Sequence, residues 1–132
     1  MKTTVNVELV IFGDSFEVQY ITETLRISPT DKWEKGDFVR EPNIIRDHTC
    51  WTVGIGHQES FDIENQSMNL LSIVGHKSSE LLKLQTELKI ESLILYTIYV
   101  YNGERPSMSL GNEIINFASK INAHIDFDLY DF

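Results

Sequence analysis

Asp126 and Asp128 are residues whose types and spacing could support catalysis. They stand two apart in the alternating sequence HIDFDLYD, so on a β-strand both carboxylates would lie on one face at a separation of roughly 7 Å. That separation suits a general acid and a general base acting on a sugar. No neighbouring pattern indicates a cleft, and solvated aspartates on an edge strand are the commoner origin of this spacing. We therefore predict that the protein is not an enzyme.

A metal site could be built from His48 and Cys50, which also share a strand face, together with His57 or His124. Structural zinc sites usually show two closely spaced ligand pairs, and this chain has one such pair and scattered histidines. We predict no metal and no cofactor. Cys50 as a nucleophile would need a base and an oxyanion donor, and no pattern locates either, so a buried or half-buried thiol is the simpler interpretation.

The two tryptophans stand in distinctive surroundings, Trp33 in TDKWEKGD and Trp51 in HTCWTVGIG. Each is typical of an anchor in the core or at its rim, where a large ring is buried and its indole N–H is satisfied. The alternative is that this region forms the rim of a small-molecule or peptide site. The glycines of segments 13–15 and 54–56 match no phosphate-binding loop.

Charge narrows the possible partners further. The chain has 132 residues, with 20 acidic against 11 basic side chains and a net charge of −9, and its length predicts a single domain. Such a surface repels nucleic acid and anionic lipid, and it attracts basic proteins; acidity that serves only solubility is the alternative. A single cysteine excludes an internal disulfide. Because no signal peptide or apolar span is present in the sequence, we expect a cytoplasmic protein.

The elements that would position these residues follow from hydrophobic periodicity. Alternation predicts strands over residues 5–12, 48–56, 92–101 and 123–130, the last with Ile125, Phe127 and Leu129 inward, and a short strand over 32–35. Helical spacing predicts helices over 16–26, 62–74 and 79–89, and a fourth through Leu110, Ile114, Phe117 and Ile121. Asp14 or Ser15 would cap the first helix, and Phe61, Met68, Leu71 and Val74 would form the buried stripe of the second. Segment 38–47 reads as a polar, mixed-charge surface loop.

This order predicts an α+β two-layer sandwich, with a mixed β-sheet and helices on one face. It would be ferredoxin-like, with pseudo-repeated strand-helix-strand units at the two ends. The other sheet face would be open and would carry acidic and aromatic side chains. We expect this face to dock a partner through Glu8, Phe12, His48, Asp126, Asp128 and Tyr130.

The chain also resembles the bacterial family of unknown function DUF4279. In that family a short helix is followed by a Pro-Thr turn and a W-x-K-G-D element, which appear here as ISPT at 27–30 and as Trp33, Lys35, Gly36 and Asp37. SLGNEI at 109–114 stands where the family begins its last helix, with Gly-Asn in place of the family's Ser-Pro.

The resemblance implies no known enzymatic activity. Proteins of this kind look like components of toxin loci, in which small acidic cytoplasmic proteins bind and block a cognate toxin. We therefore expect an immunity protein that neutralises a basic toxin domain, for instance a nuclease. A regulatory or small-ligand-binding accessory domain, using the region of Trp33 and Trp51, is the alternative.

Overall fold

A computed structural model describes residues 1–40 and 44–132. These residues form four helices and eight strands. In chain order they are β1 (Thr4–Gly13), α1 (Val18–Leu25), β2 (Asp31–Trp33), β3 (Phe38–Arg40), β4 (Ile44–Ile45), β5 (Thr49–Gly54), β6 (Gln58–Glu59), α2 (Ile63–Val74), α3 (Ser78–Glu87), β7 (Glu91–Val100), α4 (Asn112–Lys120) and β8 (His124–Asp131). The predicted α+β class is confirmed.

Six of the strands form one mixed sheet in the order β2-β5-β1-β7-β8, with β6 paired to the start of β1. β1 is the central strand, antiparallel to β5, β6 and β7, whereas β7 and β8 are parallel. β5 separates β1 from β2, but β8 lies directly beside β7. The strand-helix-strand units at the two ends of the chain therefore place their strands differently.

The hydrophobic core lies against one face of this sheet. Alternate residues of β1 point into it and are completely buried, and the alternate residues of β7 join them. The largest fully buried side chains are those of Trp51 on β5 and Tyr96 on β7. Buried residues of all four helices pack against these strands: Val18, Ile21 and Leu25; Ile63, Leu70 and Val74; Leu81 and Leu84; Ile114, Phe117 and Ala118.

Helix α1 begins later than the sequence predicts. Its N-terminal cap position is Glu17, whose side chain makes no capping hydrogen bond, so the prediction that Asp14 or Ser15 caps the helix is wrong. The carboxylate of Asp14 instead pairs with the ammonium group of Lys35 at 2.8 Å. Arg26 ends the helix in the left-handed conformation, with φ of 57°. None of the helices in the described part of the chain is long and apolar enough to cross a bilayer.

The buried stripe of α2 is also different from the predicted one. Phe61 and Met68 are 64% and 44% exposed, whereas the buried positions are Ile63, Gln66, Ser67, Leu70 and Val74. Ser67 can lie in this stripe because its hydroxyl bonds to the Ile63 carbonyl oxygen and to the Tyr96 hydroxyl. The Gln66 Oε1 is buried and has no hydrogen-bond partner among the described residues. The N-terminal end of α2 is capped by the Asp62 carboxylate, which accepts from the Glu64 N–H at 3.0 Å.

Segment 38–47 is not simply a polar loop, because β3 and β4 pair as a two-stranded antiparallel hairpin. Pro42 and Asn43 of the predicted loop lie outside the described residues. The hairpin exposes four apolar side chains: Phe38, Val39, Ile44 and Ile45. The charged residues around this segment had suggested a solvated loop, but its apolar pairs are the part that forms the strands.

Candidate binding surface

The outer face of the sheet, opposite the core, carries the side chains that alternate with the buried ones. Strand pairing places Glu8 beside Gly54 on one side and Leu95 on the other, and Leu95 beside Asp126. The other cross-strand pairs of these strands follow the same register. The outer face consists of Asp31, Trp33, Cys50, Thr52, Gly54, Thr4, Asn6, Glu8, Val10, Phe12, Glu59, Glu91, Leu93, Leu95, Thr97, Tyr99, His124, Asp126, Asp128 and Tyr130.

Five of the six residues that the sequence suggested for a docking face therefore lie on strands of the outer face. Glu8 and Phe12 are half-buried on β1, while Asp126, Asp128 and Tyr130 are exposed on β8. His48 lies just before β5 and makes an edge-to-face contact with Trp33, with ring centroids 5.5 Å apart. The strand register brings together positions that are more than a hundred residues apart in the chain.

The charge of the outer face has one sign. Among the strand residues that the structure describes there, six are carboxylates and none is lysine or arginine; they are Glu8, Asp31, Glu59, Glu91, Asp126 and Asp128. None of the six takes part in the ion pairs found within residues 1–40 and 44–132. Within the described part of the chain, the carboxylates of this face thus have no ion-pair partner.

Glu8 is the carboxylate nearest the middle of the outer face. Its side chain lies over Gly54, where a Cβ atom would come within 2.6 Å of the Glu8 Cγ and 3.3 Å of the Asn6 Oδ1. Burial raises the pKa of Glu8, and the negative charge of Asp31 adds to the rise. The Asn6 Oδ1 beside it is buried with no hydrogen-bond partner. The centre of this face is therefore a partly desolvated group of oxygen acceptors.

We expect Glu8→Gln to raise the free energy of unfolding at pH 7. A carboxylate whose pKa is higher in the folded state than in the unfolded chain destabilises the fold once it ionises, and the neutral amide lacks this penalty. The gain should shrink as the pH falls through the folded pKa and should be absent below the ordinary glutamate pKa. Urea unfolding from pH 3 to 8 measures it, with the exposed Glu91→Gln as control. A gain that did not change with pH would contradict the explanation.

Trp33 ends β2 at one corner of the outer face. The guanidinium carbon of Arg46 lies 3.7 Å from the centroid of its ring, a cation–π contact that holds the chain after the hairpin against the sheet. The indole Nε1 is buried and has no hydrogen-bond partner within residues 1–40 and 44–132. A buried donor without an acceptor is costly, so this corner presents an unsatisfied polar group.

The W-x-K-G-D residues form the turn that follows Trp33. The Asp37 carboxylate accepts from the Glu34 N–H at 2.7 Å, and the Lys35 N–H donates to the Thr49 hydroxyl at 3.0 Å. Gly36 has φ of 96°, a conformation that favours glycine. Its N–H donates to the Arg46 carbonyl oxygen at 2.8 Å. These contacts direct the chain from β2 into the hairpin.

Trp51 lies on the other side of the sheet from Trp33. It is completely buried in the core, and its indole N–H donates to the Thr22 hydroxyl of α1 at 3.0 Å. Pairing sets Trp51 opposite Lys32 and Trp33 opposite Cys50, so the two indole rings do not share a surface. A site in this region would use Trp33, while Trp51 fixes α1 to the sheet.

The opposite end of the outer face carries a group of rings that we call the aromatic cluster. His57 stacks on Tyr99 with centroids 4.0 Å apart, and Tyr99 makes edge-to-face contacts with Tyr130 and Phe132. Tyr101 stacks on Phe132 at 4.8 Å. Burial lowers the pKa of His57, and its Nδ1 is 3.0 Å from the Thr4 hydroxyl oxygen. Tyr130 and Phe132 remain 49% and 66% exposed, so the cluster offers aromatic contact area.

Within residues 1–40 and 44–132, no group of three or more His, Cys, Asp or Glu side chains is arranged to hold a metal ion. Cys50 is buried on the outer face, with its sulfur 3.5 Å from the Thr52 hydroxyl. Burial raises the pKa of the Cys50 thiol, which favours the unreactive protonated form.

A comparison with family models matches residues 2–132 to the domain of unknown function DUF4279. The chain belongs to the DUF4279 family. Comparisons with curated proteins and with solved structures gave no match. The resemblance suggested by the W-x-K-G-D residues is therefore confirmed over essentially the whole chain.

In this DUF4279 chain several residues of the outer face were not singled out from the sequence. They are Asp31, Glu59, Glu91 and Tyr99, together with Arg46 and Phe132, which lie outside the strands but contact Trp33 and Tyr99 of this face. The alternation of β1, β7 and β8 indicates which residues of each strand share a face, but not which strands are neighbours. Only the register shows that Asp31 lies near Glu8, or that His57 meets Tyr99.

Proposed function

We propose that this DUF4279 chain is a small acidic cytoplasmic protein without catalytic activity that binds a basic protein through its outer face. The most concrete form is an immunity protein that neutralises a cognate bacterial toxin domain, for instance a nuclease. The observation that carries the proposal is the set of six carboxylates on one sheet face, where the described strand residues include no lysine or arginine. The toxin context comes from the family resemblance.

Electrostatics explains what this face would contribute to binding. Carboxylates of one sign steer a basic partner into encounter and raise the association rate, more than they strengthen the final complex. In a nuclease, the groove that binds phosphates is itself basic. A surface of carboxylates could occupy that groove and block it.

Aromatic side chains would supply the contact area that charge alone does not. Tyrosine and other aromatic residues are enriched where protein interfaces are tightest. Tyr130 and Phe132 at one end of the outer face and Trp33 at the other are at least partly exposed. The acidic residues lie between these rings, so a partner seated over the face would meet both.

The architecture that we propose for this function has two layers, with the helices covering one face of the sheet only. The alternation of buried and half-buried residues along β1 and β7 supports it. The position of β5 between β1 and β2 fits the split arrangement of ferredoxin-like folds. The adjacent parallel pair β7 and β8 departs from that arrangement.

The test is reversal of charge on the outer face. We expect Asp126→Lys together with Asp128→Lys to weaken partner binding by about tenfold or more at low salt, chiefly through a lower association rate. The matched control is Glu23→Lys with Glu113→Lys, which changes the net charge equally on exposed residues of α1 and α4. Affinity capture from the native cell followed by stopped-flow binding of the captured partner measures both.

Rescue of cell growth during co-expression with a captured toxin would test the immunity role itself. If both double variants lost binding equally, net charge rather than the outer face would be responsible. If neither lost it, the proposed surface would be wrong.

A second candidate, a small-ligand or regulatory accessory domain, is favoured by the surroundings of Trp33. A recess of about 310 Å³ lies beside it, lined by Val18, Lys32, Trp33, Glu34 and Asp37. The unpartnered indole Nε1 of Trp33 is a donor that a ligand could satisfy. A ligand-dependent change in tryptophan fluorescence would favour this candidate over the first.

A further inference from the structure

The sheet ends at β8, whose outer side has no neighbouring strand among the residues that the structure describes. The strand pairs with β7 over eight consecutive residues with no shift of register. Its sequence HIDFDLYD contains no proline, glycine, lysine or arginine. Proteins commonly protect an edge strand with a bulge, a proline, charged side chains or short length, and of these β8 shows only the charge of its aspartates. We call the unpaired side of β8 the free edge.

The backbone groups at the free edge can be assigned from the ladder. In a parallel pair, the N–H and C=O of one residue point the same way and alternate from residue to residue. The Phe132 N–H donates to the Val100 carbonyl oxygen at 2.9 Å, toward β7. By alternation the backbone groups of Ile125, Phe127 and Leu129 point to the free edge, where they remain available for hydrogen bonds.

The other edge of the sheet is different. β2 has only three residues and continues through the W-x-K-G-D turn into the hairpin. Three residues offer few backbone groups to an added strand, and the turn changes the chain direction directly after them. Of the two edge strands, β8 therefore offers more backbone groups to an added strand than β2 does.

The side chains at the free edge indicate what kind of strand could pair with it. Asp126 and Asp128 project from β8 on the outer face and are exposed. In an antiparallel pair of two copies centred on Phe127, each of these aspartates would lie directly opposite an aspartate of the other copy, which is destabilising. A strand with lysine or arginine at alternate positions would instead place a cation opposite each aspartate.

We infer that β8 accepts an additional β-strand, donated by an extended basic segment of the partner that the outer face binds. The inference rests on the proposed function and states how that surface is used. Main-chain hydrogen bonds to Ile125, Phe127 and Leu129 provide the attachment, as in other cases of strand addition. Alternate Lys or Arg side chains of the added strand meet Asp126 and Asp128, and the next position approaches Tyr130.

The experiment uses the full chain and a blocked nine-residue peptide that alternates lysine with valine. Two further peptides carry backbone N-methyl groups, one on every lysine and the other on every valine. Only one set of amides faces β8 in an added strand. We therefore expect one methylated peptide to bind at least about tenfold more weakly than the parent, and the other to bind within about threefold of it. NMR titration and amide hydrogen exchange of β8 measure this.

Each other outcome overturns the inference in a recognisable way. If both methylated peptides bound like the parent while Asp126→Asn with Asp128→Asn weakened all three, the outer face would attract basic segments without strand addition, and the proposed function would survive. If the aspartate variant bound all three peptides as the wild type does and no β8 amide gained protection, both the strand-addition inference and the proposed function would fail. If the chain alone sedimented as a dimer and the aspartate variant tightened it, the free edge would serve a second copy instead.

Discussion

Replacing Trp51 with alanine should lower the free energy of unfolding by about 3–5 kcal/mol, the range for removing a large aromatic side chain from a core. Its ring has no exposed surface, lies opposite Ile11 of the central strand and donates to the Thr22 hydroxyl of α1 at 3.0 Å. The substitution leaves a cavity between sheet and helix and removes the indole donor to that hydroxyl, which keeps its bond to the Val18 carbonyl oxygen at 3.5 Å. Urea denaturation followed by circular dichroism measures the loss.

The matched control is Trp33→Ala, which removes the same side chain from a half-buried position on the outer face. We expect a smaller loss there, because part of the ring is already in water and its indole N–H has no partner. Equal losses for the two variants would contradict the assignment of Trp51 to the core and Trp33 to the surface. Trp51→Phe should lie between wild type and Trp51→Ala.

The second prediction concerns the buried pair of hydroxyl groups on Ser67 and Tyr96. Tyr96 has no exposed surface, and its hydroxyl bonds to that of Ser67, which also donates to the Ile63 carbonyl oxygen at 3.0 Å. Ser67→Ala leaves the Tyr96 hydroxyl buried without that partner and should cost about 1–3 kcal/mol. Tyr96→Phe should cost less, because Ser67 keeps its bond to Ile63.

Combining the two substitutions gives the decisive result. Removing both hydroxyls leaves no orphaned polar group, so Ser67→Ala with Tyr96→Phe should be more stable than Ser67→Ala alone. A double-mutant cycle from chemical denaturation of all four proteins measures the coupling. Simple addition of the two losses would mean that the hydroxyls do not depend on each other.

Strands in which apolar and polar residues alternate strictly could be predicted well from the sequence. In β8 the apolar residues Ile125, Phe127 and Leu129 are half-buried, while Asp126, Asp128 and Tyr130 are exposed, as predicted. The end of the last helical segment was also predictable, because Asn122 adopts φ of 55° in the left-handed region that asparagine tolerates.

The predictions for other elements were wrong for identifiable physical reasons. The helix predicted over 62–74 contains apolar residues on more than one side, so its buried stripe had two solutions, and the correct one includes the polar Gln66 and Ser67. A pair of hydrogen bonds made in the folded protein by Ser67 is not visible in the periodicity. The hairpin was missed because charged residues surround its short apolar pairs.

The candidate binding surface could be predicted from the sequence only in part. Its residues on single strands could be predicted, and Glu8, Phe12, Asp126, Asp128 and Tyr130 lie on the face where we expected them. The order of the strands in the sheet could not be predicted, because it depends on pairing between distant segments. For this reason the link from Trp33 to Arg46 and the stacking of His57 on Tyr99 came only from the structure.

The central position of β1 has a consequence for synthesis on the ribosome. This strand precedes the other elements of the fold in the chain, yet its register partners on β7 come much later, with Val7 opposite Tyr96. Until β7 emerges, Val5, Val7, Leu9 and Ile11 cannot be buried as in the finished sheet. Sheets closed by such distant pairings fold slowly and expose apolar strands meanwhile. Before β7 has been synthesised, these four apolar side chains therefore make the nascent chain prone to aggregation.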